Sequence, residues 1–164
     1  MKQNTDAYID VSLAEQRLAV LEKGQVSLTF PISTAKNGAG QRKGSECTPL
    51  GWHRIRAKIG TGAAINTVFV GRRPTGEIYT PQLAVAEAGR DWILSRILWL
   101  GGLEAGVNRY GEVDSCWRFI YIHGSPDAAV LAGPASHGCI RMLSSDVITL
   151  YDWVSVGCRV FIHE

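Results

Sequence analysis

The sequence predicts a mainly β fold, a sandwich or barrel with one or two short helices, formed by a single domain over residues 1–164. Short runs of β-branched and aromatic residues recur between turn residues, whereas only one segment has the apolar period of an amphipathic helix. The 164 residues are 46% hydrophobic, which is enough for one domain with its own core. The sequence contains no internal repeat and no linker rich in proline and serine.

Four strands are predicted in the first part of the chain, at about 7–11, 17–22, 25–31 and 51–59. The pair Lys23-Gly24 separates the second of these strands from the third and is typical of a hairpin turn. Residues 33–46 are rich in glycine, lysine and arginine, so we expect a loop there.

Three further strands and one helix are predicted in the second part of the chain. The nearly continuous apolar run 92–100 fits either a strand or a buried helix, and we favour a strand. Strands are also expected at 120–123 and 159–162, which are short apolar and aromatic runs. A helix is predicted over 145–154, because one helical face collects Val147, Leu150, Tyr151 and Val154. The segment 60–116 carries no motif, and we expect groove loops and scaffold there, with Arg96 and Trp99 as groove candidates.

One cysteine stands beside a glycine turn, with two histidines upstream and an arginine downstream. The run Tyr121-Ile122-His123-Gly124 reads as a strand end and a turn, and Ser136-His137-Gly138-Cys139-Ile140-Arg141 follows it. A thiol attacks a carbonyl only as its thiolate, so it needs a base to remove its proton. We therefore predict that Cys139 is a nucleophile and that His123, held at the end of a strand, is its general base.

Two other interpretations of these residues stay open. A single cysteine is more often a small buried apolar residue than a nucleophile. The side chains of His123, His137 and Cys139 are also zinc ligand types, although the chain has no Cys-x-x-Cys pair and no His-Glu-x-x-His helix. We place thiolate chemistry ahead of a metal site and expect neither a metal nor a cofactor. The remaining cysteines are expected to be packed free thiols: Cys47, Cys116 and Cys158.

These residues resemble the L,D-transpeptidase (YkuD) catalytic domain family. In that family a His-Gly on a strand is followed by Ser/Thr-His-Gly-Cys, an apolar residue and Arg or Asn, which here are His123-Gly124 and residues 136–141. A second family segment is similar to Thr48-Pro49-Leu50-Gly51-Trp52-His53-Arg54-Ile55. The opening hairpin and the last strand are similar as well, so the resemblance covers nearly the whole chain. It implies a YkuD-like β-sandwich or barrel.

The resemblance also implies a cysteine acyl-transferase that acts on peptidoglycan stem peptides. In this interpretation Cys139 attacks the carbonyl of the third residue, a diamino acid of L configuration, and the terminal D-alanine leaves. The base, and later the acid, is His123, which the backbone carbonyl of Gly124 orients. The N–H groups of Gly138 and Cys139 are the expected oxyanion-hole donors.

The same resemblance assigns three further residues to substrate binding. These are Ser136, His137 and Arg141, which we expect to line the site. A guanidinium can hold a carboxylate through two parallel hydrogen bonds. We therefore expect Arg141 to bind a carboxylate of the substrate.

Three functions fit these patterns. A cytoplasmic L,D-carboxypeptidase would transfer the acyl group to water and trim recycled tetrapeptides to tripeptides. A periplasmic L,D-transpeptidase would transfer it to a second stem and make 3→3 cross-links. A non-catalytic or metal-binding module is the third. We expect the first, in the cytoplasm, because residues 1–6 lead into a strand without the apolar region of a signal peptide, and a periplasmic location applies if a leader was removed.

The charge and hydropathy of the chain limit the kinds of partner that we expect. The net charge is +2, from 17 basic and 15 acidic side chains, and the basic residues are not interleaved with aromatic ones, so we expect no nucleic acid. No run of about 18 apolar residues occurs, so we expect no membrane span. The expected partner is a stem tetrapeptide or a muropeptide, and the sequence does not define an oligomeric state.

Overall fold

The computed structural model describes residues 6–164 and is mainly β. The described residues form ten strands, which are β1 Ala7–Ser12, β2 Arg17–Glu22, β3 Gln25–Ser33, β4 Gly51–Ile59, β5 Thr67–Val70, β6 Arg73–Ile78, β7 Ile93–Gly102, β8 Tyr121–Ser125, β9 Ile140–Leu143 and β10 Arg159–His163. They also form three short α-helices and one 3-10 helix, namely α1 Pro81–Ala86, α2 Asp127–Leu131, α3 Ser144–Trp153 and the 3-10 turn Gly111–Val113. The signal-peptide expectation depends on residues 1–5, which lie outside the described residues.

Eight of the strands form a closed barrel. Their order is β4-β10-β1-β2-β3-β9-β8-β7, and β7 pairs with β4 to close the ring. All neighbours in this ring are antiparallel except the pairs β1–β10 and β8–β9. The hairpin β5–β6 is attached to the barrel through the pairing of β5 with β7. This architecture confirms the predicted fold class.

The hydrophobic core fills the inside of the barrel, and α3 packs against it. Fully buried side chains reach it from most strands and from α3, among them Ile9, Leu18, Ile55, Leu98, Ile122, Ile140, Met142 and Leu150. Because side chains alternate across a strand, the inward position of Ile122 sends the side chains of Tyr121 and His123 to the outer face of β8. The outer face of β8 is where the candidate chemistry lies.

The predicted strands and the predicted helix are present, with ends shifted by up to two residues, and the run 92–100 is a strand as favoured. Six elements were not predicted: β5, β6, α1, the 3-10 turn Gly111–Val113, α2 and β9. The last of these defines the surroundings of Cys139, which the sequence places beside a glycine turn. The residue stands directly before β9, a strand that sends Ile140 and Met142 into the core and pairs with both β8 and β3.

Candidate active site

Cys139 lies at the end of a turn, beside the start of β8. Its sulfur accepts a hydrogen bond from the backbone N–H of Tyr121 at 3.3 Å, and its thiol donates to the carbonyl oxygen of Phe119 at 3.4 Å. The side chain packs against an apolar cluster that includes Trp99 and Tyr121, and it stays partly exposed. The thiol is therefore fixed by neighbouring backbone and rings while remaining open to a reactant.

His123 lies two residues beyond Tyr121 on the same face of β8 and is only 1% exposed. Its Nδ1 is 2.7 Å from the carbonyl oxygen of Gly124, so Nδ1 carries the proton and donates it. The lone pair that can accept a proton is then on Nε2. The family resemblance implies that the carbonyl of Gly124 orients His123, and this contact has the geometry for that role. A Cβ at this position would collide with the carbonyl of Leu94, which explains the glycine.

Burial sets the resting protonation of both groups. It lowers the pKa of His123 below its ordinary value of 6.5 and raises the pKa of Cys139 to about 11. The hydrogen bond from the Tyr121 N–H opposes the shift at Cys139, as do the charges of Arg141 and Arg118. At neutral pH the site therefore rests as a thiol and a neutral imidazole. The thiolate has to be generated as part of the attack.

The turn before Cys139 is built by side-chain hydrogen bonds of Ser136 and Thr48. The hydroxyl of Ser136 donates to the carbonyl of Cys139 at 2.6 Å and accepts from the N–H of Gly138 at 3.2 Å. The hydroxyl of Thr48 donates to the carbonyl of Gly138 at 3.0 Å. At Gly138 the backbone has a φ of 136°, which lies in the region that favours glycine.

These contacts correct two predictions from the sequence. Because Ser136 is 2% exposed and its hydroxyl is used within the turn, its side chain does not line the substrate site. The N–H of Gly138 is occupied by that same hydroxyl, so it is not a free oxyanion-hole donor. The N–H of Cys139 itself makes no hydrogen bond to any described residue and remains the candidate donor.

A pocket of about 200 Å³ lies near His123 and Cys139, and His137 and Arg141 line it. The guanidinium of Arg141 forms an ion pair with Asp91 at 3.1 Å, and Asp91 also lines the pocket. The charges of Arg141 and Asp91 act on both His123 and Cys139, so the pocket adjoins the predicted catalytic pair. Both His137 and Arg141 therefore line a pocket near the predicted catalytic residues.

Trp99 and Arg96 have different surroundings, although both were groove candidates. The indole of Trp99 belongs to the cluster around Cys139 and is partly exposed, as a groove residue would be. By contrast, Arg96 is 8% exposed, donates to the carbonyls of Ala63 and Ser95, and lies over the ring of Tyr151 in α3. We correct its assignment, because these contacts place Arg96 in the packing between β7 and α3.

Arg118 is a residue of the site that the sequence did not indicate. Its guanidinium donates to the carbonyls of Gly40, Gln41 and Cys47, the last at 2.7 Å, and so fastens the loop between β3 and β4. It also lies 3.9 Å from the position that a Cβ of Gly138 would take. Only the position of Arg118 just before a predicted strand was visible in the sequence, and an arginine there has many ordinary roles.

Three observations complete the description of residues 6–164. All four cysteines are free thiols. In this range no group of three or more His, Cys, Asp or Glu side chains is arranged to hold a metal ion. No helix in this range is long and apolar enough to cross a membrane.

A β-barrel that carries a candidate cysteine nucleophile and a candidate histidine base on its outer face has the features of a cysteine enzyme. Sequence comparison identifies its family. Residues 6–162 match the YkuD family, described as the L,D-transpeptidase catalytic domain, so the chain belongs to this family. A comparison with curated proteins gave no match.

Several solved structures of similar fold are L,D-transpeptidases. One from Mycobacterium smegmatis has a TM-score of 0.61 and 18% identity, over 97% of this chain and 59% of the other. The L,D-transpeptidase LdtMt1 in complex with imipenem has a TM-score of 0.56 and 17% identity, over 96% and 59%. L,D-transpeptidase 3 from Mycobacterium tuberculosis, with a faropenem-derived adduct, has a TM-score of 0.57 and 16% identity, over 97% and 60%. The chain thus spans about three-fifths of the length of these structures.

Proposed function

We propose that this protein is an L,D-carboxypeptidase that cleaves the bond between the diamino acid and D-alanine of peptidoglycan stem tetrapeptides. The thiol of Cys139 is the nucleophile, His123 is the base and acid, and water is the acyl acceptor. Membership of the L,D-transpeptidase catalytic domain family supports a cysteine enzyme that acts on peptidoglycan peptides. The choice of water over an amine is our own and rests on the small pocket that Asp91, His137 and Arg141 line near the catalytic residues.

The chemistry follows from the resting state of the pair. As the sulfur of Cys139 bonds to the substrate carbonyl carbon, its proton passes to Nε2 of His123, and the N–H of Cys139 donates to the oxyanion. Collapse of this intermediate breaks the C–N bond, and the leaving amine of D-alanine takes the proton from His123. Water then attacks the thioester, His123 removes its proton, and the thiol is restored as the tripeptide leaves.

The small size of the pocket supports water as the acyl acceptor. At about 200 Å³ it is smaller than the range of about 300–1,000 Å³ that is usual for drug-sized ligands. A cross-linking enzyme has to hold two stem peptides at once, one as donor and one as acceptor. The pocket has room for a part of a single stem, which supports a small acceptor.

The charges of the pocket also suit a small zwitterionic group. The far end of a diamino acid side chain carries an ammonium and a carboxylate, and the pair Asp91–Arg141 offers the opposite charge to each. We therefore propose that this pair binds the diamino acid, with Arg141 on the carboxylate and Asp91 on the ammonium. A cytoplasmic location is part of the same proposal, because soluble tetrapeptides arise there when wall fragments are recycled.

The proposal is tested with purified tetrapeptide, with and without a large excess of an acceptor stem peptide, and with product analysis by mass spectrometry. We expect free D-alanine and tripeptide in both reactions and no product with Cys139→Ala. Cross-linked dimer as the main product with acceptor would replace the proposal by the L,D-transpeptidase alternative. A reporter fusion to the native protein tests the location separately.

A further inference from the structure

Arg72 lies at the tip of the β5–β6 hairpin and reaches the cluster that surrounds the thiol. The turn Gly71-Arg72 has φ values of 56° and 64°, as the two central residues of a type I′ hairpin turn require. The turn brings the guanidinium over the ring of Trp99, with its central carbon 4.6 Å from the ring centroid. One guanidinium nitrogen, Nη1, donates to the hydroxyl of Tyr121 at 3.0 Å.

No acidic residue among residues 6–164 forms an ion pair with this guanidinium. Its hydrogen bond to Tyr121 uses one N–H group, and no hydrogen bond joins the others to a described residue. The cations at the pocket differ, because Arg141 is paired with Asp91 and Arg90 with Glu77. The ring of Trp99 and the hydroxyl of Tyr121 already hold this guanidinium in one orientation, and its other N–H groups can still donate. Such a group is suited to bind a carboxylate at low entropic cost.

The two cationic sites lie at opposite ends of the outer face of β8. The side chains of Tyr121, His123 and Ser125 follow one another on this face, with Arg72 at Tyr121 and the pocket of Arg141 at Ser125. Residues two apart on one strand face are about 7 Å apart, so Tyr121 and Ser125 are separated by about 13 Å. Four residues of extended peptide cover about the same distance.

We propose that Arg72, laid across Trp99 and fixed by Tyr121, binds a carboxylate of the donor peptide at the end of this face remote from Arg141. The inference rests on the proposed stem-peptide substrate. Such a peptide has a free carboxylate on the terminal D-alanine and another on the γ-linked glutamate that precedes the diamino acid, and both offer the same chemistry to a guanidinium. In this role Arg72 determines donor specificity before any acceptor is chosen.

The variants Arg72→Gln and Arg72→Lys test the inference, with Arg73→Gln as the matched control at the exposed neighbouring position. The readout is kcat/KM for D-alanine release, which precedes the choice of acceptor. We expect Arg72→Gln to lower it by about 10-fold to 100-fold, mainly through KM, as for a lost hydrogen bond to a charged group. A smaller loss is expected for Arg72→Lys, and Arg73→Gln should stay within about twofold of wild type. Equal losses for Arg72→Gln and Arg73→Gln would overturn the inference.

Two amidated substrates identify the carboxylate. One tetrapeptide carries an amide at the terminal D-alanine and the other an amide at the glutamate. One of these amides should slow the wild type as strongly as Arg72→Gln does and should slow Arg72→Gln no further. If both amides slow Arg72→Gln as much as they slow the wild type, Arg72 binds neither carboxylate and the inference is wrong. Dimer formation in place of hydrolysis would refute the carboxypeptidase proposal and leave this readout intact. If Arg72→Gln does not fold, as judged by its thermal midpoint, Arg72→Lys is tested with the same two amides.

Discussion

The ring of His123 donates from Nδ1 to the carbonyl of Gly124, the residue that follows it on the same strand, over 2.7 Å. The contact fixes both the tautomer and the ring plane without help from a distant residue. It leaves Nε2 as the proton acceptor in a site where burial disfavours a charge on the ring. The base is therefore oriented by the backbone of β8, and its proton affinity rises only when a negative charge appears beside it.

Exchange of His123 should approach the defect of the missing nucleophile. We expect His123→Ala and His123→Asn to reduce kcat by roughly three orders of magnitude or more, because the thiol then has no base. We expect His137→Ala to cost about tenfold or less, because this exposed residue lines the pocket and does not hold the proton. Steady-state D-alanine release checks both values. The reverse order of severity would exchange the assigned roles.

Labelling by a carbapenem should separate Cys139 from a second thiol of similar acidity. Burial raises the pKa of Cys139 and of Cys158 to about 11 in both cases, so acidity alone predicts no preference between them. The sequence motif assigns a base, His123, to Cys139 alone, so we expect intact-mass and peptide analysis to find one imipenem adduct, on Cys139. Benzylpenicillin should react more slowly. The control Cys158→Ala should label fully, and adducts on several cysteines would show that the site has no privileged thiol.

The β-barrel fold class could be predicted from the sequence, because strong turn signals separate the strands and the strands alternate in polarity. Parallel pairing of β8 with β9 was beyond sequence reasoning, since β9 has only four residues and runs directly into α3. The hairpin β5–β6 was missed for a related reason. Its strand β6 contains Pro74 and Gly76, which argue against a strand when tertiary pairing is unknown.

The candidate site likewise contains some residues that the sequence indicated and others that it did not. The residue types of Cys139 and His123 suggest their chemistry, and their spacing with glycine suggests their place. The position of Ser136 in the motif suggested substrate contact, whereas the hydroxyl closes the turn, because a turn of this shape needs its carbonyl and N–H groups satisfied. The contacts of Arg118 and Arg72 join segments that are far apart in sequence, so no local pattern could reveal them.

The stability of the fold should fall between about pH 6.5 and about pH 4 because of His53. This side chain is fully buried between Ser115 and the carbonyl of Gly51, and burial lowers its pKa from 6.5 to about 4. In that window the unfolded chain binds a proton at His53 and the folded protein does not, so the free energy of unfolding decreases as the pH falls. The loss from this group is on the order of 3 kcal/mol.

Chemical denaturation of wild type and His53→Gln over this pH range checks the prediction. We expect the variant to be less stable at pH 7 and the two curves to converge toward pH 4. The control is His163→Gln, because the hydrogen bond to Asp10 raises the pKa of His163 and reverses the sign. Parallel curves for wild type and His53→Gln would contradict the assignment.

The pair Arg141–Asp91 should respond unequally to the loss of each partner. The exposed fraction is 13% for the side chain of Arg141 and 57% for that of Asp91, so the ion pair itself adds little to stability. We expect Arg141→Lys to lower kcat/KM by roughly 1–3 kcal/mol in activation free energy, since an ammonium cannot hold a carboxylate bidentately.

We expect Asp91→Asn to keep binding of the substrate carboxylate and to weaken only the contact with the substrate ammonium. In the wild type the negative charge of Asp91 raises the pKa of both His123 and Cys139, and Asp91→Asn removes this charge. Loss of that charge lowers the pKa of both groups, so the acid limb of the pH–rate profile should move to lower pH in Asp91→Asn. In Arg141→Lys a cation remains, and the acid limb should stay within a few tenths of a pH unit of wild type. Profiles of kcat/KM for D-alanine release, recorded for both variants, measure these shifts, and a displacement of the acid limb to higher pH in Asp91→Asn would refute the electrostatic role of the carboxylate.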